Sequence, residues 1–146
     1  AITGLLLVHP AFPQEKPAYD SASTNLSDAR VHFYHTSALP EGAKFGHPLM
    51  NPLHPETSAT MRDVPNVPVL VAAADGDPLL QGAIKYFEAL RHFRDGTSES
   101  SGLHVCSDEF IESKGVGHCF HLFPEDAAEA AATLRGALVA FISRHS

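Results

Sequence analysis

The feature that most constrains this fold is an apolar run, Pro68 to Ala74, that stops abruptly at polar residues. Its length and composition are typical of a strand buried on both faces, as in a parallel sheet. The polar residues Asp75-Gly76-Asp77-Pro78 follow, and beyond them apolar residues recur at helical spacing to about Arg94. The pattern therefore predicts a buried strand that leads into an α-helix.

Two further strands and a second helix are predicted from the rest of the chain. The run Leu5–Val8, ended by His9-Pro10, indicates a first strand, and a third is expected within residues 103–113. A turn over 115–118 then leads to a helix over about residues 125–144. Its predicted buried face comprises Ala127, Ala131, Leu134, Leu138, Phe141 and Ile142. Strands and helices alternate in this way in parallel sheets, so the predicted fold class is α/β.

The intervening segments carry weaker signals. A short helix is expected over residues 27–39, a long ordered loop over 47–68 and a polar loop over 95–102. The first strand has no evident partner on one side, and the chain opens at the mouth of that strand without a Met. We therefore expect that earlier strands are absent from this chain and that the open edge promotes self-association.

Composition excludes several classes of function. The net charge is −7 and the ten Lys and Arg residues are scattered, whereas phosphate binding needs a concentrated basic face, so no nucleic-acid partner is expected. No apolar run approaches the roughly 18 residues of a membrane span. The two cysteines, Cys106 and Cys119, are too few for a disulfide framework and favour free thiols in the cytoplasm.

Two ionisable residues follow the ends of predicted strands, where open parallel sheets carry their active sites. Asp77 follows the second strand, and His118 follows the third in a turn flanked by Gly115 and Gly117. A carboxylate that accepts a hydrogen bond from an imidazole fixes the tautomer of that ring. The other ring nitrogen can then take a proton from a nucleophile. Asp77 and His118 are therefore the candidate catalytic acid and base.

Other roles for these residues stay open at this stage. Asp77 followed by Pro78 is also a good helix N-cap, Asp75 is a competing acid, and His118 could be a structural loop histidine. His118, Cys119 and His121 suggest a metal site, but no further ligand completes a zinc spacing, so no metal is expected.

The chain holds no recognisable nucleophile for such a pair. A serine elbow reads G-x-S-x-G between a strand and a helix, and the nearest match, residues 96–100, lacks the last glycine. It also follows the acid, whereas hydrolases of this type have the order Ser, Asp, His. We therefore expect the nucleophile to lie outside this chain.

Four segments together resemble the plant carboxylesterase family, within the hormone-sensitive-lipase-like branch of α/β hydrolases. They are Gly4 to Pro10, Ala38-Leu39-Pro40 running into His47 to Pro52, Pro68 to Leu79, and the most specific one, Gly115 to Phe123. The resemblance covers nearly the whole chain. It implies the C-terminal portion of an α/β-hydrolase fold, with its last three parallel strands and flanking helices.

The resemblance also implies a function. His118 matches the histidine and Asp77 the acid of a Ser-His-Asp triad that hydrolyses carboxylic esters without a cofactor. Residues 1–146 would then form the C-terminal part of one domain, whose oxyanion loop and serine elbow lie in a missing N-terminal segment. A small-molecule ester and that segment are the expected partners, and Phe12 and Phe120 are candidate pocket walls.

Three other readings remain at this stage. The gibberellin receptors resemble these esterases but bind a hormone without hydrolysing it, and an aliphatic residue replaces the triad histidine in that lineage. A dehydratase of hydroxyisoflavanones keeps the triad region. An inactive truncated product is the third reading. The presence of His118 favours the esterase over the receptor.

Overall fold

The computed structural model of the chain describes residues 1–12, 37–42, 47, 51–53, 64–101, 107–123 and 125–146. Its strands are β1 (Leu5–Val8), β2 (Val69–Gly76) and β3 (Glu109–Gly117). Its helices are α1 (Leu80–Ser101), a short 3-10 helix (Phe120–Leu122) and α2 (Ala128–His145). The helix predicted over 27–39 and the loop predicted over 47–68 fall mostly outside the described residues.

The three described strands form one parallel sheet in the order β1-β2-β3. The predicted α/β fold with three parallel strands and flanking helices is therefore confirmed. β2 is central, pairing through Val71 with Leu7 of β1 on one side and with Phe110 of β3 on the other. Because all three strands are parallel, their carboxyl ends meet at one edge of the sheet.

The central strand is buried on both faces by alternate residues. Val69, Val71 and Ala73 face α1 and join Ala83, Tyr86 and Leu90 in one core cluster. Leu70, Ala72 and Ala74 face the other way and pack with Phe120, Ala131, Leu134 and Phe141. This double burial explains why β2 is the strongest apolar run of the sequence.

Helix α1 is longer than predicted. The polar residues 95–102 were expected to form a loop, but the helix continues to Ser101. A polar composition argues against burial and does not by itself end a helix. A single glycine such as Gly96 costs only about 1 kcal/mol relative to alanine in a helix. The helix therefore passes through the segment that the sequence pattern assigned to a loop.

The end of β3 and the face of α2 also differ from expectation. The turn predicted over 115–118 is strand up to Gly117, and only His118 and Cys119 turn. On α2, Ala131, Leu134 and Phe141 are buried as predicted, but Ile142 is 51% exposed. Neighbouring positions on a helix point about 100° apart. Once Phe141 faces the sheet, Ile142 is turned away from it.

An arginine fixes the entry to β2. The Arg94 guanidinium on α1 pairs with Asp108 and donates hydrogen bonds of 3.0 Å to the carbonyl oxygens of Pro65 and Val67. Asp108 in turn accepts the Val69 N–H at 2.9 Å. The chain before β2 and the start of β3 are thereby tied to the same helix.

Two helical glycines give a matched test of this packing. A Cβ atom on Gly82 would lie 2.3 Å from the carbonyl oxygen of Phe12, whereas one on Gly136 would meet nothing within 4 Å. We expect Gly82→Ala to lower the free energy of unfolding by about 1–3 kcal/mol, as overpacking does. Gly136→Ala should raise it by up to about 1 kcal/mol through helix propensity. Urea unfolding measures both, and a gain in both variants would contradict the close approach of Phe12.

Candidate active site

Asp77, the predicted acid, follows the carboxyl end of β2, and its two carboxylate oxygens have different hydrogen-bond partners. Its backbone N–H donates to the carbonyl of Ala74 at 3.1 Å, which turns the chain out of the strand. Asp77 Oδ1 accepts the Leu79 N–H at 2.8 Å and so supports the start of α1. Asp77 Oδ2 is left for other donors. The capping role and a catalytic role are therefore compatible in one side chain.

The predicted base meets this second oxygen. His118 Nδ1 lies 2.8 Å from Asp77 Oδ2. The Asp77 side chain is 1% exposed and that of His118 is 42% exposed, so the acid is buried and the base reaches solvent. An ionised carboxylate only accepts hydrogen bonds, so Nδ1 carries the proton and Nε2, on the opposite side of the ring, can accept one.

A bulge in β3 presents the base. Between the pairs Ala74–Ser113 and Gly76–Gly117, β2 has one residue where β3 has three. Asp75 fills this gap, because its Oδ1 accepts the Gly115 N–H at 2.8 Å. Gly115 has a φ of +70°, a conformation that favours glycine. Asp75, the competing acid in the sequence, thus accepts a hydrogen bond from the bulge and is not among the hydrogen-bond partners described for His118.

Gly76 brings the two strand ends into close contact. A Cβ atom there would lie 2.8 Å from the carbonyl oxygen of Val116. A side chain at this position would push β3 away from β2. The glycine before Asp77 therefore helps to set the distance between the acid and the turn that carries the base.

Sequence reasoning missed a third member of the cluster. His9 Nδ1 also lies 2.8 Å from Asp77 Oδ2, and the His9 side chain is fully buried. Its backbone N–H donates to the Ala72 carbonyl at 2.8 Å, which extends the pairing of β1 with β2. The signal was present, since His9 follows β1 at the same sheet edge as Asp77 and His118.

Other rings enclose His9. The His121 ring stacks on it with centroids 5.3 Å apart, and the rings of His118 and Phe120 meet it edge-on at 5.4 and 5.6 Å. His9 Nε2 and His121 Nδ1 are buried and have no hydrogen-bond partner among the described residues. The rings of His118 and His121 thus lie against His9, and the rings of His9 and His118 contact the Asp77 carboxylate.

The candidate pocket walls are packed inside the fold. Phe12 stacks on Tyr86 of α1 with ring centroids 4.2 Å apart. Phe120 is only 6% exposed and belongs to the core between the sheet and α2. These contacts give both residues a packing role.

The electrostatics of the cluster favour an ionised acid. Burial alone would raise the pKa of Asp77. The hydrogen bonds from His9, the Leu79 N–H and His118 outweigh it and hold that pKa below the usual 3.8. Burial, reinforced by the Asp77 charge, raises the pKa of the Cys119 thiol. Cys119 is therefore protonated at neutral pH, which makes it a poor nucleophile.

His9, Asp77 and His118 could also supply three ligands to a metal ion, since their ligand atoms lie within 4.8 Å of one another. Two tetrahedral zinc ligands at about 2.0–2.1 Å from the metal stand about 3.3 Å apart. The nitrogen-to-oxygen contacts of 2.8 Å are shorter and match hydrogen bonds. The arrangement therefore fits a hydrogen-bonded acid better than a metal centre.

Residues 1–122 match the sequence profile of a family described as having the alpha/beta hydrolase fold. The chain belongs to this alpha/beta hydrolase family. The match includes all three strands, Asp77 and His118.

Solved structures agree on the fold. The chain is similar to the esterase Est22, with a TM-score of 0.59 and 20% identity over 96% of this chain and 39% of that one. A structure of Est22 with p-nitrophenol gives the same TM-score of 0.59. At this identity the likeness shows the fold, and the chain spans about two fifths of the length of these esterases. No curated protein matches the chain significantly. None of the helices in the described ranges has the length and apolar character needed to cross a membrane.

Acid should weaken the fold through Asp77. Its folded pKa lies below 3.8, so its contribution to stability is complete above 3.8 and is lost as the pH falls through the folded pKa. We expect the free energy of unfolding of Asp77→Asn, measured in urea, to change less between pH 5 and pH 3 than that of the unsubstituted chain. The exposed Asp126 offers a control, because Asp126→Asn should keep the original profile. An unchanged acid response in Asp77→Asn would contradict the lowered pKa.

Proposed function

We propose that this chain supplies the acid and the base of a serine esterase that hydrolyses carboxylic esters. The observation that carries the proposal is the contact of 2.8 Å between the buried Asp77 Oδ2 and His118 Nδ1. It lies at the carboxyl edge of a parallel sheet in a member of the alpha/beta hydrolase family. The hydrolase family and the fold of Est22 support the reaction class.

The proposed reaction has two halves. A serine oxygen attacks the ester carbonyl while His118 Nε2 takes the serine proton, and Asp77 stabilises the resulting imidazolium. His118 then gives that proton to the leaving alcohol, and an acyl-serine remains. In the second half a water molecule repeats the sequence and releases the carboxylic acid. No redox step occurs, and no cofactor is required.

The nucleophile and the oxyanion hole would come from an upstream segment of the same domain. No G-x-S-x-G sequence occurs in the 146 residues, and β1 pairs with β2 on one side only within the described sheet. We propose that the upstream segment continues the sheet beside β1 and places the serine near His118 Nε2. The four motifs support a place for the protein in the plant carboxylesterase branch. The two cysteines support a location in the cytoplasm.

The choice of acid can be tested with an isosteric pair. In the full-length protein, Asp77→Asn should lower kcat by a factor on the order of 10⁴, because an amide cannot hold the required tautomer of His118. Asp75→Asn should keep most of the activity, since its carbonyl oxygen can still accept the Gly115 N–H. Equal or reversed losses, measured with p-nitrophenyl acetate, would move the acid to Asp75.

The base can be tested with a second pair of variants. His118→Ala should reduce kcat by at least about 10³ with little change in KM, because proton transfer is lost while substrate binding remains. His121→Ala should keep most of the activity, since its described contacts are with rings. If His118→Ala retained more than about a tenth of kcat, the triad assignment would fail. A non-hydrolytic, receptor-like function would then become the leading hypothesis.

A further inference from the structure

We propose that His9 is a positioning residue of this site, which holds the Asp77 carboxylate in the orientation that receives His118. The inference rests on the proposed triad. Neither the motifs nor the comparisons give His9 a role, although its ring and that of His118 contact the same oxygen of Asp77.

The two contacts use the same acceptor atom. His9 Nδ1 and His118 Nδ1 each lie 2.8 Å from Asp77 Oδ2. A carboxylate oxygen has two lone pairs in the carboxylate plane, so two donors saturate it. Since Asp77 Oδ1 already accepts the Leu79 N–H, the carboxylate plane is fixed by donors on both oxygens. Without His9, one lone pair of a buried charge would be left unsatisfied.

His9 is itself held rigidly enough to position another group. Its φ is +49°, in the left-handed region, and its backbone N–H is bonded to Ala72. The ring lies against His121, His118 and Phe120. Left-handed backbone is uncommon for residues other than glycine and is more readily adopted by Asn, Asp and His. A non-glycine residue in this conformation directly before Pro10 indicates that the side chain is needed there.

Charge supports the same role. The titratable groups that interact with Asp77 are His9 at the end of β1, and His118 and Cys119 after β3, while His121 stacks on the His9 ring. Among them, the hydrogen bond from His9 is a leading contribution that lowers the pKa of Asp77 against its burial. The Asp77 carboxylate is therefore kept ionised by His9 as well as by His118.

Two amide variants separate a positioning role from a merely structural one. The Asn amide nitrogen falls near the place of histidine Nδ1, and Asn tolerates left-handed backbone, so His9→Asn should keep the donor to Asp77 Oδ2. His9→Gln places its amide near Nε2 instead. His9→Phe keeps an aromatic ring but removes both nitrogens. The exposed His92 on α1 gives a control, His92→Ala, remote from the cluster.

The experiment uses the natural full-length protein with ¹⁵N-labelled histidine rings. NMR of these rings reports which nitrogen of His118 carries the proton, and ¹³C NMR of the Asp77 carboxyl reports its pKa. In His9→Gln and His9→Phe we expect a mixture of His118 tautomers and a raised pKa of Asp77. The kcat for p-nitrophenyl acetate should fall about 10–100-fold, by analogy with the loss seen when a hydrogen-bond partner that orients a metal ligand is removed. His9→Asn and His92→Ala should keep the tautomer, the Asp77 pKa and most of the activity.

The outcomes separate this inference from the proposed function. Folded His9→Gln or His9→Phe with an unchanged His118 tautomer and Asp77 pKa would overturn the role of His9. Equal behaviour of the Asn and Gln variants would do the same, even if the Phe variant failed to fold. If the unsubstituted protein hydrolysed no ester, the proposed function would fail, while the two NMR measurements would still decide the role of His9.

Discussion

The burial of β2 on both faces is the constraint on which the rest of the described structure depends. Six successive residues, Val69 to Ala74, are at most 2% exposed, and alternate ones pack against α1 and against α2. A strand so enclosed has no freedom to slip in register, since a shift by one residue would exchange its two faces. The end of β2 is therefore fixed, and the carboxylate of Asp77, which follows it, lies at a defined position at the sheet edge.

Around that point, backbone contacts set the geometry and side chains complete it. The close approach of Gly76 to the Val116 carbonyl and the bond from Gly115 to Asp75 locate the end of β3. His118 comes directly after the end of β3 and reaches Asp77, and Cys119 then turns the chain with a φ of +55°. The scaffold and the Asp77 side chain are buried, while the His118 side chain reaches solvent.

Much of this could be predicted from the sequence, because apolar periodicity reports burial directly. It located β1, β2, the first half of β3 and both long helices, and it placed Asp77 and His118 after strand ends. The end of α1 was missed because polar residues are compatible with both helix and loop. His9 was missed for a different reason. Its place at the end of β1 could be predicted, but no motif gives His9 a role, and its contact with Asp77, 68 positions away, follows only once β1 is paired with β2.

The bulge opposite Asp75 has an evolutionary consequence. The extra length of β3 and the Asp75 carboxylate form one unit, because the three residues of β3 at the bulge include Gly115, whose N–H donates to Asp75 Oδ1. In a homologue whose third strand lacks the extra residues, an acid at this position would lose the backbone N–H from which it accepts a hydrogen bond. Asp75 and the strand insertion should therefore be gained and lost together during divergence, independently of Asp77 and His118.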